Sequence, residues 1–323
     1  MTDETNYVAT VYAVSWALGS LVIIICTVRV FGRAFIMHQT GWDDFFMSFG
    51  ALSAIVCSAL VTTSVFYGLG RHKDDIKNPH DLSQAIKYTV IAPVLSIISS
   101  SSSKISILIF LIRLMGITAN RWHIYFLWGM GALLVLLNIM AIVVILRFCS
   151  PVAFQWDKSI DGTCINPNIQ LYSAATQSAY NALLDIIVAI FPATFITKLN
   201  TTRKMKVGLF VLMGGGFFAS AATMVKVYLI KDLDKHGDIT WFWAPIALWF
   251  TAEMDIVIIL GTMPTLWPML NIYRRRGGNR GYDPYIHLES STNSKTKKGP
   301  MTRVLQGIDD MRTAQTIVDR DRP

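Results

Sequence analysis

Four stretches of this chain, residues 5–28, 45–70, 122–146 and 207–225, each run for nineteen residues or more without an Asp, Glu, Lys or Arg. About 20 helical residues, rising ~1.5 Å each, cross the hydrocarbon of a bilayer. Lipid offers no hydrogen bonds to a bare backbone, so such stretches must be helices. Three further apolar windows are broken by only one or two charges. The whole chain is 53% hydrophobic and 15% charged, against about 25% charged residues in ordinary soluble domains. These observations predict an all-α, multi-pass membrane protein.

The windows predict a seven-transmembrane helix bundle, with spans at 9–30, 45–68, 85–115, 123–147, 169–198, 207–230 and 241–271. Residues 1–8 then form a short external N-terminus, 9–271 the membrane domain, and 272–323 a tail rich in Gly, Ser, Thr, Lys and Asp that reads as disordered. One set of loop ends holds twelve Lys and Arg residues, including Arg29, Arg33, Arg113, Arg203 and Arg274 to Arg276, and the other holds seven. The richer side is cytoplasmic by the positive-inside rule, so the N-terminus is out and the C-terminus in. The formal charge of +8 is thereby explained by topology, and no nucleic-acid partner is implied. The acidic start (Asp3, Glu4) and long first apolar run read as a first span, not a cleaved signal. The lipid bilayer is the implied partner, in the plasma membrane or an endomembrane.

The third span carries Lys104 deep inside. The next charge, Arg113, lies about 13 Å further along at helical pitch. A charge near mid-membrane costs at least ~2.5–3.5 kcal/mol, and an ionisable residue there is by default a functional hypothesis. Ser96, Ser100 and Lys104 recur every fourth residue and share one face. Either they form a packed serine-rich interface with a structural ion pair, or they line a polar cavity.

Carboxylates are available at similar depth. Span 5 brings Asp185, sharing a face with Gln177, Ser178 and Asn181. Span 7 brings Glu253 and Asp255; being two residues apart, only one can easily face the bundle centre. Asp255 shares its stripe with Thr251 and Thr262, so periodicity favours it. Lys104 with Asp185, Glu253 or Asp255 would be a buried pair fixing helix register, or the floor of a pocket lined by Ser96, Ser100, Gln177 and Asn181. Lys226 lies near the outer end of span 6 and snorkels.

Cys26 and Cys57 fall inside spans and read as small core residues. Cys149 and Cys164 bracket the loop between spans 4 and 5 on the predicted outer side, where disulfides persist, so they should be bridged. Asp43 and Asp44 open span 2, where carboxylates complement the helix dipole and cap free N–H groups. That role needs no metal. His72, His80 and neighbouring aspartates read as a solvated loop. The sequon at Asn200 falls in a predicted cytoplasmic loop and should carry no glycan. Gly214 to Gly216 would let span 6 approach a neighbour closely.

An ordered set of local patterns then accumulates. Gly41-Trp42-Asp43-Asp44 opens span 2 and Gly68-Leu69-Gly70-Arg71-His72 closes it. Lys104-Ile105-Ser106-Ile107-Leu108 runs on to Arg113, and Cys149-Ser150-Pro151 leads to Trp156 and Gly162-Thr163-Cys164. Asp185 precedes Pro192, Arg203 to Leu209 opens span 6, and Trp249 to Glu253 leads to Met263-Pro264-Thr265-Leu266-Trp267-Pro268. Together these resemble the fungal rhodopsin-domain family of seven-helix proteins over about residues 15–270. The resemblance implies a receptor-like protein, or one encoded beside secondary-metabolite genes, and favours Glu253 as the acidic position of span 7.

A retinal protein of the microbial kind needs a Schiff-base lysine in span 7. Residues 241–271 contain none, so no retinal cofactor is expected. Three functions remain: a receptor sensing a small, partly apolar molecule, with a cytoplasmic signalling partner; a membrane-embedded cyclase or isomerase using Asp185 or Glu253 as general acid; and a proton-coupled carrier, against which the lack of internal repeats speaks.

The topology is directly testable. A glycosylation or protease-protection reporter fused after Pro323 should remain cytoplasmic, unglycosylated and open to protease in sealed right-side-out vesicles only after lysis. Lumenal modification of the reporter would overturn the assignment.

Overall fold

In the computed structural model the described residues are 7–37, 40–72, 75–115, 121–196 and 239–278, with isolated positions between 214 and 228. They form six long helices. These are α1 (Tyr7–Phe31, continued by a π-helical turn over Gly32–Met37), α2 (Trp42–Phe66) and α3 (Pro79–Met115), then α4 (Arg121–Leu146), α5 (Pro167–Ile196) and α6 (Ile239–Gly278). All six are long and apolar enough to cross a membrane. The α6 label here covers the seventh expected span. The sixth, 207–230, with Lys226 and Gly214 to Gly216, falls almost wholly outside the described residues, as do Asn200 and the tail beyond Gly278.

Several boundaries extend past the apolar windows. α3 starts at Pro79, six residues before the expected Ala85. Proline suits a first helical turn because its missing N–H has no partner there anyway, and Asp81 in the same turn complements the dipole. α6 runs on to Gly278 through Arg274 to Arg276, good helix formers, and ends at a glycine pair.

α3 is the axis of the arrangement. At about 1.5 Å per residue its 37 residues reach ~55 Å, well beyond a ~30 Å hydrocarbon core. α2 packs back along it: Ser64 Oγ donates to the Ala85 carbonyl (3.0 Å), the Cys57 thiol to Ala92 (3.3 Å), and Ser99 Oγ to Gly50 (2.8 Å). Gly50 is required at that crossing, since a Cβ would stand 2.6 Å from Ser103 Oγ and 3.1 Å from the Ser99 carbonyl. α6 lies alongside α3 in the same direction. Ser96 Oγ reaches the Phe250 carbonyl at 3.4 Å, 154 residues on, and Ile107 fills the space beside Gly261 at the same offset. Gly68 and Gly70 turn the chain between α2 and α3 with φ of +123° and +89°, a region glycine enters without strain. The Gly70 N–H donates to the Thr240 carbonyl at 3.1 Å, fixing that turn to the start of α6.

The lipid face is visible in the burial pattern. α4 buries only Leu127, Leu134, Asn138 and Ala141, one narrow stripe, and exposes Trp122, Trp128, Leu136 and Ile139. On a water-soluble protein so large an apolar surface would be a liability; in lipid it costs nothing. Cys26 and Cys57 are buried free thiols, as core residues should be.

Between α4 and α5 the loop is closed on itself. Cys149–Ser150 pairs antiparallel with Thr163–Cys164, and Cys149 is bonded to Cys164, as expected of the two cysteines that bracket this loop. Pro151 leads into a short 3₁₀ turn, Val152–Gln155, which Trp156 ends. The Lys87 ammonium stands 6.0 Å from the Trp156 ring, linking the loop to α3.

A cross-link closing 15 residues contributes about 3 kcal/mol in the chain-entropy view. Mass spectrometry of non-reduced peptides should recover Cys149 joined to Cys164. Cys149→Ser with Cys164→Ser should lower the thermal unfolding temperature in detergent; an unchanged temperature would contradict a stabilising bridge.

Candidate functional site

Three polar centres lie inside the described helices. The first sits where α1, α2, α3 and α6 converge. Arg29 Nε donates to Asp44 Oδ1 at 2.9 Å, and Nη2 to Asp43 Oδ2 at 3.0 Å. Its Nη1 reaches Thr265 Oγ1 (2.9 Å) and the Gly261 carbonyl (3.4 Å) on α6. Arg33 bonds both aspartates, at 2.7 Å to Asp44. Arg113 of α3 adds a longer contact to Asp43 (3.5 Å), and Ser106 Oγ donates to the Asp43 carbonyl.

Asp44 accepts the Gly41 N–H (3.2 Å), the capping expected of a carboxylate at this helix start, and both aspartates are in addition buried under arginines. One expectation is corrected: Arg29 and Arg33 are not free loop cations; four residues apart, they project onto one face and are buried against the aspartates. A charge at this depth is held only by a close opposite charge with further hydrogen bonds. Gly41 leaves room for the Arg113 guanidinium, since a Cβ would stand 2.7 Å from its Nη1. Trp42 beside it is exposed, on the outward side. Pro264, one turn into the α6 segment that Arg29 touches, removes the backbone donor that would otherwise close on Leu260.

The second centre joins α3, α4 and α5. Lys104 is 2% exposed, and its Nζ donates to Asp185 Oδ2 (3.1 Å), Asn181 Oδ1 (2.9 Å) and the Asn181 carbonyl (3.4 Å). An ammonium has three protons, and all three are used. Asn181 Nδ2 donates to the Gln177 carbonyl (2.8 Å), and Gln177 Nε2 to Asn138 Oδ1 (2.9 Å). Asn138 Nδ2 in turn donates to Ser101 Oγ (2.6 Å). Thus Gln177, Asn181, Asp185 and Lys104 are brought together, with Asn138 as the addition that the sequence reading passed over. Its signal was available: it is the lone amide in a 26-residue apolar helix. Ser96 and Ser100 do not join this group. Ser96 turns to α6, and Ser100 Oγ finds no partner among the described residues.

The third centre is on α6. Glu253 and Asp255 are both buried, at 5% and 0% exposure. The expectation that only one could face inward fails because the middle of α6 is covered on all sides, not on one stripe. Lys104 bonds neither of them. Asp255 has no hydrogen-bond partner for either carboxylate oxygen among the described residues. Thr251 and Thr262, on its stripe, donate instead to their own helix, to the carbonyls of Ala247 (2.8 Å) and Ile258 (2.7 Å). His72 stacks on Trp241 (4.3 Å between ring centres), and no set of three metal-ligating side chains occurs among the described residues.

A family profile described as the fungal rhodopsin domain matches residues 28–272. Among characterised proteins, the Fugralins biosynthesis cluster protein 2 of Gibberella zeae is 27% identical over 50% of this chain and 41% of its own length, so this match spans less than half of that relative. The Wortmanamides biosynthesis cluster protein C of Talaromyces wortmannii is 22% identical over 86% of this chain and 77% of its own. A SAT4 family membrane protein of Emericella nidulans is 24% identical over 89% and 71%. No solved structure matches.

The Lys104–Asp185 pair makes a quantitative expectation. Removing one partner of a buried pair costs ~3–5 kcal/mol because the other is left uncompensated. Lys104→Met and Asp185→Asn should each lower folded yield and thermal stability. The double variant should recover part of the loss, a positive coupling in a double-mutant cycle. Additive losses would show that the two charges do not act on each other.

Proposed function

This chain belongs to the fungal rhodopsin domain family, and from that premise we propose that it is a receptor-like membrane protein that binds a small, partly apolar molecule. The observation that carries the reading is the Lys104–Asp185–Asn181–Gln177–Asn138 group: a compact polar set, fully hydrogen-bonded, inside an otherwise apolar bundle. Small-molecule sites have this composition, mostly apolar walls with a few fixed polar groups that set orientation. A ligand carbonyl or hydroxyl can exchange into such a network without leaving a charge unpaired. The outward N-terminus and inward tail would place a ligand mouth outside and a signalling partner in the cytoplasm. No retinal is invoked, because residues 241–271 hold no lysine for a Schiff base.

A second reading is favoured by the relatives, two of which are named for secondary-metabolite biosynthesis clusters. On that reading the protein serves such a pathway in the membrane, with Asp185 or Glu253 as the general acid of a cyclisation or isomerisation.

One experiment addresses both. Fractions of an apolar culture extract from the host are screened for those that raise the unfolding temperature of the purified chain. A stabilising fraction whose effect weakens in Gln177→Ala, and whose active molecule is recovered unchanged, is the result expected. Conversion of that molecule to a product would favour the pathway enzyme. Absence of any stabilising fraction would count against ligand binding altogether.

A further inference from the structure

Asp255 is the one buried carboxylate among the described residues whose oxygens both lack a partner. The buried cations among those residues, Arg29, Arg33 and Lys104, are all bonded to other carboxylates. The hydroxyls of its own stripe are committed to backbone carbonyls. A lone carboxylate in the bilayer interior is expensive. Something carrying positive charge and not belonging to these helices must therefore answer it.

Other unsatisfied groups gather at the same level. Arg29 bonds Thr265, 236 residues on, and Tyr7 packs edge-on against Trp241, so α1 and α6 run the same way. At that offset Gly19 of α1 falls level with Asp255. Gly19 is buried, yet a Cβ added there would meet nothing within 4 Å. Room therefore exists beside the carboxylate's level for more than one heavy atom. α2 runs back along α1, with Trp16 Nε1 bonding Thr62 at 3.0 Å and Arg29 bonding Asp44, which places Ser58 opposite the 15–20 stretch of α1 that holds Ser15 and Gly19. Ser15 and Ser58 are 1% and 2% exposed, and each has an Oγ with no partner. Cys57, next to Ser58, lies within electrostatic reach of Asp255, although its thiol donates elsewhere, to Ala92.

We propose that Asp255 is the anchor of a monovalent-cation site, holding a sodium ion with its water between α1, α2 and α6, with Ser15 and Ser58 supplying hydroxyl oxygens. The charge count selects one positive charge. A divalent ion would call for further carboxylates, and no group of three His, Cys, Asp or Glu side chains occurs among the described residues. A proton alone would neutralise Asp255 but would leave the two buried hydroxyls unanswered, at a cost for each. A hydrated hard cation satisfies all of them, because oxygen ligands and water are what such ions take. This site is independent of the Lys104 group and of any organic ligand bound there.

The test uses the full chain purified in detergent. Unfolding temperature is followed in sodium chloride, potassium chloride and choline chloride at matched ionic strength, with binding of radioactive sodium measured in parallel. Sodium should raise the unfolding temperature by about 2–4 °C over choline, saturating with concentration, and tracer should bind at one site per chain. Asp255→Asn should abolish both effects. Ser58→Ala, a small change expected to fold, should move the sodium midpoint to higher concentration. Superimposable sodium and choline curves with no bound tracer would overturn the proposal. So would a stabilisation that appears on acidification in choline and is indifferent to sodium, which would assign the site to a proton.

Discussion

Charge cannot be left alone in a low-dielectric interior, and the placement of Arg29, Arg33, Asp43, Asp44 and Arg113 follows from that constraint. Each arginine donates to an aspartate of α2, and Arg29 also reaches the Gly261 carbonyl and Thr265 hydroxyl of α6. Four helices are thereby tied at one end by directional bonds, which an apolar bundle in lipid otherwise lacks. Between apolar helices, lipid tails compete as well as leucine does, so polar contacts carry much of the specificity of packing. The depth of α1 against α2 and of α2 against α3 is set at this cluster. The remaining contacts, such as Ser64 to Ala85 and Ser99 to Gly50, repeat that register along the helices.

The apolar windows made the helices legible, because the period and length of a membrane span are dictated by the bilayer. The Cys149–Cys164 bridge was legible for a similar reason: two cysteines bracketing one short loop between spans have few other fates. The interior was less so. Helical spacing correctly grouped Gln177, Asn181 and Asp185, but it could not say which neighbour each face would meet. It therefore placed Ser96 and Ser100 with Lys104, whereas Ser96 turns to α6. It allowed only one of Glu253 and Asp255 to face inward, because a one-sided helix was assumed; α6 is surrounded in its middle, and both are buried. Arg29 and Arg33 read as loop charges in the sequence because they end an apolar run. Their four-residue spacing opposite two adjacent aspartates was the overlooked sign of a buried network.

Two kinds of polar interior therefore coexist. The Lys104 group and the arginine cluster are satisfied, with hydrogen bonds in good number, and such networks fix a unique arrangement. The α6 carboxylate Asp255 is not satisfied by the described side chains. In a membrane bundle the first kind holds the scaffold, because removing one partner of a satisfied buried pair leaves the other uncompensated.

Asn138 has a consequence for α4 that reaches beyond hydrogen bonding. The helix is apolar nearly all round, so lipid accepts any of its faces equally, and its insertion encodes no rotational preference. One amide, engaged by Gln177 on one side and Ser101 on the other, breaks that cylindrical symmetry. It acts as a detent: with the buried Leu127, Leu134 and Ala141, and the Tyr180 hydroxyl on the Met130 carbonyl, it sets the azimuth of a 26-residue helix. The helix can thus be inserted correctly by hydropathy alone and still be misassembled by the change of one residue that hydropathy would count as an improvement.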